Sequence, residues 1–403
     1  MRLYVVGVTA VIDLFSPSSF ASGHPAGQYA WLRDNDPVHW HREPAGPGFW
    51  AVTRHEDVRT VSRNPALFSS RPTILIDDGS AVDLGDHAMM LMMDPPQHTG
   101  YRKLVAPRFL RRAAGRMRPG IERLAAEIVD GVADRDEFDL VQDVAGVLPS
   151  WVIAEMLGIP RQDGVELYRL TETIHADPAS QPEGAGLAAV MEMFSYACGV
   201  WNSKRACPAD DLASALASAE VDGHRLDETD FSLFFILLID AGGDTTRNLV
   251  AGGMDALFTH PGQRDRLTAD LTLLPVAIEE MLRWVSPVIY MRRTATADTE
   301  LGGRPVKAGQ KVVMYYGAAN RDPRAFEDPE RFDITRTPND HVAFGGGGHH
   351  FCLGAQIARI EIETMFRQLL TRLPGLHKIG QTEWLPSTFI SGPKRIRVRP
   401  GRA

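Results

Sequence analysis

The chain has 403 residues, 44% of them hydrophobic and 23% charged, with a formal net charge of −8; these are the proportions of an ordinary globular protein, and the acidic balance argues against nucleic-acid binding. Three cysteines, Cys198, Cys207 and Cys352, are too few for a disulfide framework and suit a reducing compartment, so a cytoplasmic protein is expected. The length allows two or three domains and a core large enough to hide a cofactor.

In chain order, Tyr4–Leu14 is apolar but short and interrupted by Asp13. It has neither the basic region and cleavage site of a signal peptide nor the length of a span, so no membrane anchor is expected. Gly27–Asn35 reads as a helix, Val38–Trp40 and Phe49–Thr53 as strands flanking the Pro44–Gly48 turn, and His55–Arg63 as an amphipathic helix. Pro72–Leu91 is a loop without a clear period, of a length that is often functional. Met93-Asp94-Pro95-Pro96 opens a further helix, where proline spoils no hydrogen bond. His98 and Arg102 share one of its faces, either as a solvated polar face or as two donors that can hold a carboxylate.

Between Arg102 and Arg118 stand Arg102, Lys103, Arg108, Arg111, Arg112, Arg116 and Arg118, with no acidic residue among them. In an acidic protein such a patch is an exposed basic helix or a device that steers an anionic partner. It lacks the interleaved aromatics of a nucleic-acid site. Helical stretches follow at Ile121–Asp134, Leu148–Leu157, Gly164–Ala176, Gly186–Lys204 and Asp211–Val221, with residues 177–182 as a linker.

The apolar run Phe231–Ile239 continues through Asp240-Ala241-Gly242-Gly243-Asp244-Thr245-Thr246 to Phe258 as one long core helix. Gly242 and Gly243 weaken it by roughly 1 kcal/mol each relative to alanine. The expected compensation is a bulky ligand lying against the backbone. Asp244 and Thr245 then set an acid beside an alcohol in that groove, a pair able to relay protons. Asp240 interrupts the apolar run, and a buried carboxylate needs a partner. Glu280 and Arg283, three apart, could form a mere surface bridge. Val288–Ala295 reads as a strand in which Arg292 and Arg293 face opposite ways, with Ile289 and Met291 sharing the parity of Arg293. Lys307–Gln310 turns into a strand at Val312–Tyr316, and Trp384–Ile396 ends the chain in strands with Phe389-Ile390 at their tip.

The most distinctive stretch is Phe344-Gly345-Gly346-Gly347-Gly348-His349-His350-Phe351-Cys352-Leu353-Gly354. Beyond it Ile362, Met365, Phe366, Leu369 and Leu370 recur with the period of a buried helical face. Glycines let backbone pass close to a flat ligand, and the helix N-terminus after Cys352 favours a thiolate. A thiolate against such a loop suits a metal in a planar macrocycle; the plain alternative is a free buried cysteine beside a glycine turn.

This loop resembles the haem-binding loop of the cytochrome P450 superfamily, F-G-x-G-x-H-x-C-x-G. The resemblance makes Cys352 the axial ligand of iron, His350 a propionate partner, and Phe344, Gly345 and Gly354 parts of the cradle. Phe344 lies eight residues before Cys352 instead of seven, and the longer loop is similar to that of a bacterial branch that oxidises steroids and methyl-branched lipids. Residues from Ala241 to Thr246 resemble the motif A-G-x-D/E-T-T/S, which places Ala241 against haem and gives Asp244 and Thr245 the proton relay. An apolar residue usually precedes that alanine, so Asp240 either meets a polar group of the substrate or is tied to a nearby donor. His98, Arg102 and Arg293 match propionate binders. Glu280 and Arg283 match E-x-x-R, completed by Arg331 in Pro329-Glu330-Arg331-Phe332, a structural set that holds the cysteine loop.

The implied fold is mainly α with a small β region, one domain over residues 1–403, with haem b between the Asp240–Asn248 helix and the Cys352 loop. The linker at 177–182 would be a lid, and Leu237, Asp240, Ile289, Met291 and Phe389 would line the substrate pocket. The implied activity is a haem-thiolate monooxygenase that inserts one atom of O2 into a hydrophobic small molecule: a terpenoid, steroid or branched lipid. Electrons would come from NAD(P)H through ferredoxin reductase and ferredoxin, since the chain carries no flavin or iron–sulfur motif. A monomer is expected. Tailoring oxidation of a secondary metabolite is the alternative, and the Asp244–Thr245 pair disfavours a non-catalytic haem sensor.

Overall fold

The computed structural model describes residues 12–78, 85–177 and 180–401. Most of Tyr4–Leu14, residues 79–84 of the Pro72–Leu91 loop and residues 178 and 179 of the linker lie outside them. The architecture is built around a central helix, Glu228–Thr259. Asp227 caps it: its carboxylate accepts from the Asp230 N–H at 2.9 Å, while the Asp230 side chain returns a bond to the Asp227 backbone. That reciprocal box satisfies two N–H groups, and the first-turn acids complement the helix dipole. Phe231–Ile239 and Thr246–Met254 are buried all round, as befits a helix packed on every side.

Against the central helix pack Val147–Leu157, Arg161–His175, Ala185–Ala206, Leu274–Val285 and Ala355–Arg372 (the thiolate helix, following Cys352). Among the described residues no single helix is long and apolar enough to cross a membrane. The β region is a five-stranded sheet in the order Val38–His41, Phe49–Val52, Lys311–Tyr315, Tyr290–Ala295, Phe68–Ser69. Tyr290–Ala295 runs antiparallel to Lys311–Tyr315 with Arg293 opposite Val312, while Phe49–Val52 pairs parallel.

Three elements differ from the sequence expectation. The basic stretch is not one helix: Leu110 takes an extended conformation between Gln97–Phe109 and Arg111–Ala133. The second helix starts ten residues before the expected Ile121 and continues through Pro119. Tertiary packing against the thiolate helix outweighs the one hydrogen bond that proline removes. The third is Asp211–Val221, which is helical only over Leu212–Ala217; Glu220–Val221 and His224–Arg225 then form a hairpin around Asp222-Gly223, both at positive φ. Asp-Gly is a strong two-residue turn signal that the helical reading overlooked.

The pair Glu280–Arg283 is wholly buried and ties the thiolate region to the rest of the protein. Arg283 Nε and Nη2 donate to the Glu280 carboxylate at 2.7 and 2.8 Å, and its remaining donors reach the carbonyls of Asn320, Pro329 and Arg331. Glu280 also accepts from the Asp333 N–H, Arg336 Nε and Asn339 Nδ2. The expectation that Arg331 completes this set is overturned. Its side chain is 62% exposed and pairs with Asp333, and only its carbonyl takes part. Arg336, five residues on, supplies the second guanidinium. The turn after Phe332 brings Arg336 back over Glu280, which no local pattern announces.

Replacing Glu280 with alanine strands a buried guanidinium and is expected to cost about 3–5 kcal/mol. Arg336→Ala is expected to cost about 1–3 kcal/mol, and Arg331→Ala less than about 0.5 kcal/mol. Urea unfolding of the three variants checks the order.

Candidate functional site

The cysteine loop closes on itself. The Cys352 N–H donates to the Phe344 carbonyl at 2.9 Å, and the Gly345 N–H to that of Val342 at 2.9 Å. Behind the loop lies the helix His55–Arg63: Ser62 Oγ donates to the Gly347 carbonyl at 2.8 Å and Arg63 Nε to that of Gly346 at 3.1 Å. A Cβ on Gly346 would stand 2.8 Å from Ser62 Cβ, and one on Gly348 2.7 Å from the Ser62 carbonyl oxygen. Close approach to a flat ligand is therefore only half the reason for the glycines. The other half is this helix, whose Ser62 and Arg63 carried no signal in the sequence.

Burial pushes the Cys352 thiol above its ordinary value, against the N–H groups of Gly354 and Ala355 and the guanidinium charges of Arg102 and Arg359. The helix N-terminus does point at the sulfur, as expected, but it does not overcome desolvation. A bound metal cation is what would hold this sulfur as thiolate. Arg359 lies over the Phe344 ring, 4.5 Å from its centre, and is gripped by Glu279 at 2.6 and 2.8 Å.

Beside the sulfur, two guanidinium groups and two imidazoles gather from three elements. His98 and Arg102 come from the helix Gln97–Phe109, Arg293 from the strand Tyr290–Ala295 and His350 from the loop. The rings of His98 and His350 stand 4.1 Å apart. Burial, then Arg102 and His349, lowers the pKa of His98 to about 4; burial, then Arg293, His98 and Arg102, lowers that of His350 to about 2. Arg293 is almost fully buried and donates to the Arg292 carbonyl at 2.8 Å. No carboxylate pairs with Arg102 or Arg293 among the described residues, and His98 Nδ1 is buried without a partner there. Arg292 is occupied on the other face by Asp78 and the Leu75 carbonyl. Arg293, a buried cation without a carboxylate partner among the described residues, awaits an anion. The cluster fits the carboxylates of haem, and Cys352 its iron. Ser70, unnoticed in the sequence, contacts His350 Nε2 at 3.0 Å.

The central helix has one window. Ala241 is exposed and Asp240, Gly242 and Thr245 are half-buried, in a stretch otherwise enclosed from Phe231 to Met254. Thr245 Oγ1 donates to the Ala241 carbonyl at 3.1 Å. Leu237, one turn before Ala241, is buried. Asp244 is buried on the adjoining face, 3.9 Å from both His175 Nε2 and Arg247 Nη1, and burial raises its pKa.

Gly243 has a reason within the protein. A Cβ there would lie 2.9 Å from the Tyr168 ring of the helix Arg161–His175, whereas one on Gly242 would make ordinary contact with Ile153. Gly243 makes room for Tyr168, whose hydroxyl, together with Glu172, takes Arg247 Nη1. The partner of Asp240 is His175, the last residue of the helix Arg161–His175, at 2.6 Å. Burial works to lower the pKa of His175, but Asp240 and Asp244 outweigh it and push it up to about 9. His175 also stacks on Phe389, with ring centres 5.6 Å apart.

Of the expected pocket residues, Met291 and Phe389 are half-buried, but Ile289 is not at the open face. It precedes the strand, donates its N–H to the Phe389 carbonyl and is enclosed with Tyr290, Val313 and Tyr315, so strand parity does not carry to it. A further acid escaped the sequence reading. Glu361 sits on the apolar face of the thiolate helix, its pKa pushed up to about 8 by burial, with the Thr246 hydroxyl as its partner. A carboxylate between Ile360 and Ile362, inside an apolar stripe, was the available signal.

The chain is similar to known proteins in sequence and in fold. A family model described as Cytochrome P450 matches residues 259–375. A steroid C26-monooxygenase of Rhodococcus jostii (strain RHA1) is 38% identical over 96% of this chain and 84% of its own. A methyl-branched lipid omega-hydroxylase of Mycobacterium tuberculosis (strain ATCC 25618 / H37Rv) is 39% identical over 92% of this chain and 90% of its own. Among solved structures, a Mycobacterium marinum cytochrome P450 in complex with pseudoionone has a TM-score of 0.92 and 38% identity, covering 98% of this chain and 100% of its own.

The loop geometry yields a paired expectation. Gly348 and Gly380 both have positive φ, +83° and +73°, but nothing lies within 4 Å of a Cβ at Gly380. Gly380→Ala should cost about 1 kcal/mol of backbone strain, and Gly348→Ala about 1–3 kcal/mol more from collision with Ser62. Denaturant unfolding compares them.

Proposed function

This chain belongs to the cytochrome P450 family and is a monooxygenase with haem b as its cofactor, and we propose that it oxidises a steroid or a methyl-branched lipid with electrons delivered by a ferredoxin. The observation that carries the site assignment is the window around Ala241 and Thr245, set beside the buried Asp244 in a helix enclosed on both sides of it, from Phe231 to Ile239 and from Thr246 to Met254. In this reading Cys352 ligates the iron, and His98, Arg102, Arg293 and His350 hold the propionates. Ala241, Phe344, Gly345 and Gly354 lie against the ring. When bound, haem supplies the iron centre at which O2 is activated with two electrons and two protons.

The protein's own part is to position and to move protons. Asp244, with its pKa raised by burial, holds a proton on a carboxyl oxygen nearer to neutral pH than an exposed aspartate would. That proton replaces, at Thr245 Oγ1 on the adjoining face, the hydroxyl proton that Thr245 gives up. The Thr245 hydroxyl, released from the Ala241 carbonyl, presents it at the window. Glu280, Arg283 and Arg336 keep the cysteine loop in place and take no part in the chemistry.

The substrate class rests on the relatives named above and on the apolar lining given by Leu237, Met291 and Phe389. Titrating the ferric protein with steroids, branched lipids and polyketide-like metabolites, and reading the Soret shift as substrate displaces axial water, tests it. A saturable shift with a steroid or branched lipid supports the class; shifts with polyketide-like compounds alone would move the enzyme to tailoring of a secondary metabolite. Asp244→Asn should lower turnover by about a hundredfold or more with an unchanged Soret shift. Thr245→Ala should consume reduced cofactor without matching product.

For the electron donor the support is the surface beside the thiolate helix. Lys103, Arg111, Arg112 and Arg116 are exposed there and, among the described residues, unpaired with acids, whereas Arg108 and Arg118 are paired with Asp210 and Glu363. Leu110, 61% exposed, stands in their midst as an apolar contact. An acidic ferredoxin docked on this face delivers its electron from the sulfur side. Reversing Arg111 and Arg112 to glutamate should raise the KM for ferredoxin by about tenfold or more and leave the Soret shift with substrate unchanged. Added salt should raise the wild-type KM in the same direction.

A further inference from the structure

Each proton that leaves Asp244 has to be replaced, yet its side chain keeps only 5% of its exposure. Among the described residues two cationic groups stand near its carboxylate, Arg247 Nη1 and His175 Nε2, both at 3.9 Å. Arg247 is a guanidinium and releases no proton. Its Nη1 is engaged by Glu172 and by the Tyr168 hydroxyl, whose own pKa burial pushes well above the ordinary value. Of the two, only His175 both gives and takes protons. One nitrogen of its ring serves two carboxylates: Nε2 donates to Asp240 Oδ1 at 2.6 Å and faces Asp244 Oδ2 at 3.9 Å. Asp240 and Asp244 lie four residues apart and so share a face of the central helix. A shift of about 1 Å brings Nε2 within hydrogen-bonding distance of Asp244. Unlike Asp244, the pair stays accessible to water, with 32% exposure of the Asp240 side chain and 17% of His175.

We propose that His175 reloads Asp244 with protons and that Asp240 is the water-facing group that recharges His175. The inference rests on the monooxygenase reading above and deepens it. The imidazolium gives its Nε2 proton to the Asp244 carboxylate and becomes neutral imidazole, with its other proton still on Nδ1. Asp240, protonated from water, returns a proton to Nε2. The pair is then as it began, and one proton has moved from water to Asp244. The charges around the ring keep it loaded. Burial lowers the pKa of His175, but Asp240 and Asp244 outweigh both burial and the opposing charge of Arg247 and push it up to about 9. Glu172 and Tyr168 of its own helix are turned to Arg247, and Phe389 faces the imidazole with an uncharged ring.

Nuclear magnetic resonance of isotope-labelled histidine in the haem-loaded protein, kept diamagnetic by carbon monoxide, reads the His175 titration without turnover. It should centre near pH 9 and move down by about one unit or more in Asp240→Asn and in Asp244→Asn. Proton arrival at the haem pocket is read by cryoreduction of the oxygen-bound protein, annealing and electron paramagnetic resonance, which need neither substrate nor ferredoxin. At a fixed annealing temperature the wild type should slow only above about pH 9. His175→Gln keeps a donor for Asp240 but carries no proton, and should slow the step by about tenfold or more. Asp240→Asn keeps the imidazole and should move the alkaline slowing to lower pH, because the carboxylate that favours the imidazolium is gone. A His175→Gln protein that protonates like the wild type would overturn the proposal, as would a His175 titration indifferent to Asp244→Asn. The monooxygenase reading is judged separately, by the Soret signature of thiolate-ligated haem in the wild type.

Discussion

A sulfur enclosed by protein resists ionisation, and the surroundings of Cys352 are arranged around that resistance. Two backbone N–H groups and two guanidinium groups favour the thiolate, yet burial still prevails in the chain alone. The balance turns only when a cation sits on the sulfur. The loop must therefore present the sulfur on one side and be supported entirely from the other. The His55–Arg63 helix gives that support through Ser62 and Arg63, and three of the loop's glycines take positive φ to follow its surface.

The charged groups form two compartments. One gathers the guanidinium groups of Arg102 and Arg293, without carboxylate partners among the described residues, beside His98 and His350, whose pKa values burial and those guanidinium groups lower far below neutral. The other gathers Asp240, Asp244 and Glu172, interleaved with His175 and Arg247 and close to balance. The first compartment suits anchoring an anionic cofactor rim. The second suits holding protons, because its groups shift one another's affinities without any net field. Thr245 stands at the border between them.

What could be read from the sequence was what lies close together along it. The cysteine loop, the Asp244-Thr245 pair and the Glu280–Arg283 pair are each set by a spacing of a few residues, and the 3.6 period gave the central and thiolate helices. Contacts that depend on how elements meet were not legible. Arg336 displaced Arg331 over Glu280 because of a turn, and His175 met Asp240 from another helix. Gly243 shows a subtler case: its cost was assigned to a ligand, and Tyr168 of a neighbouring helix, which no local pattern announces, also requires the missing side chain. Ile289 failed for the plainest reason, lying one residue outside the strand whose alternation was used to place it.

Arg283 reaches the carbonyls of Asn320, Pro329 and Arg331 from a fully buried position, and so fixes the long irregular segment before the loop with bonds internal to the protein. The cradle is thereby preorganised. Cofactor binding need not supply the ordering entropy of that segment, which would amount to roughly 1–2 kcal/mol for each residue fixed. The affinity for haem can then reside in the iron–sulfur bond and the propionate contacts. By the same logic, the rate at which haem enters and leaves is governed by helices around the cradle, such as Gln97–Phe109, and not by folding of the loop itself.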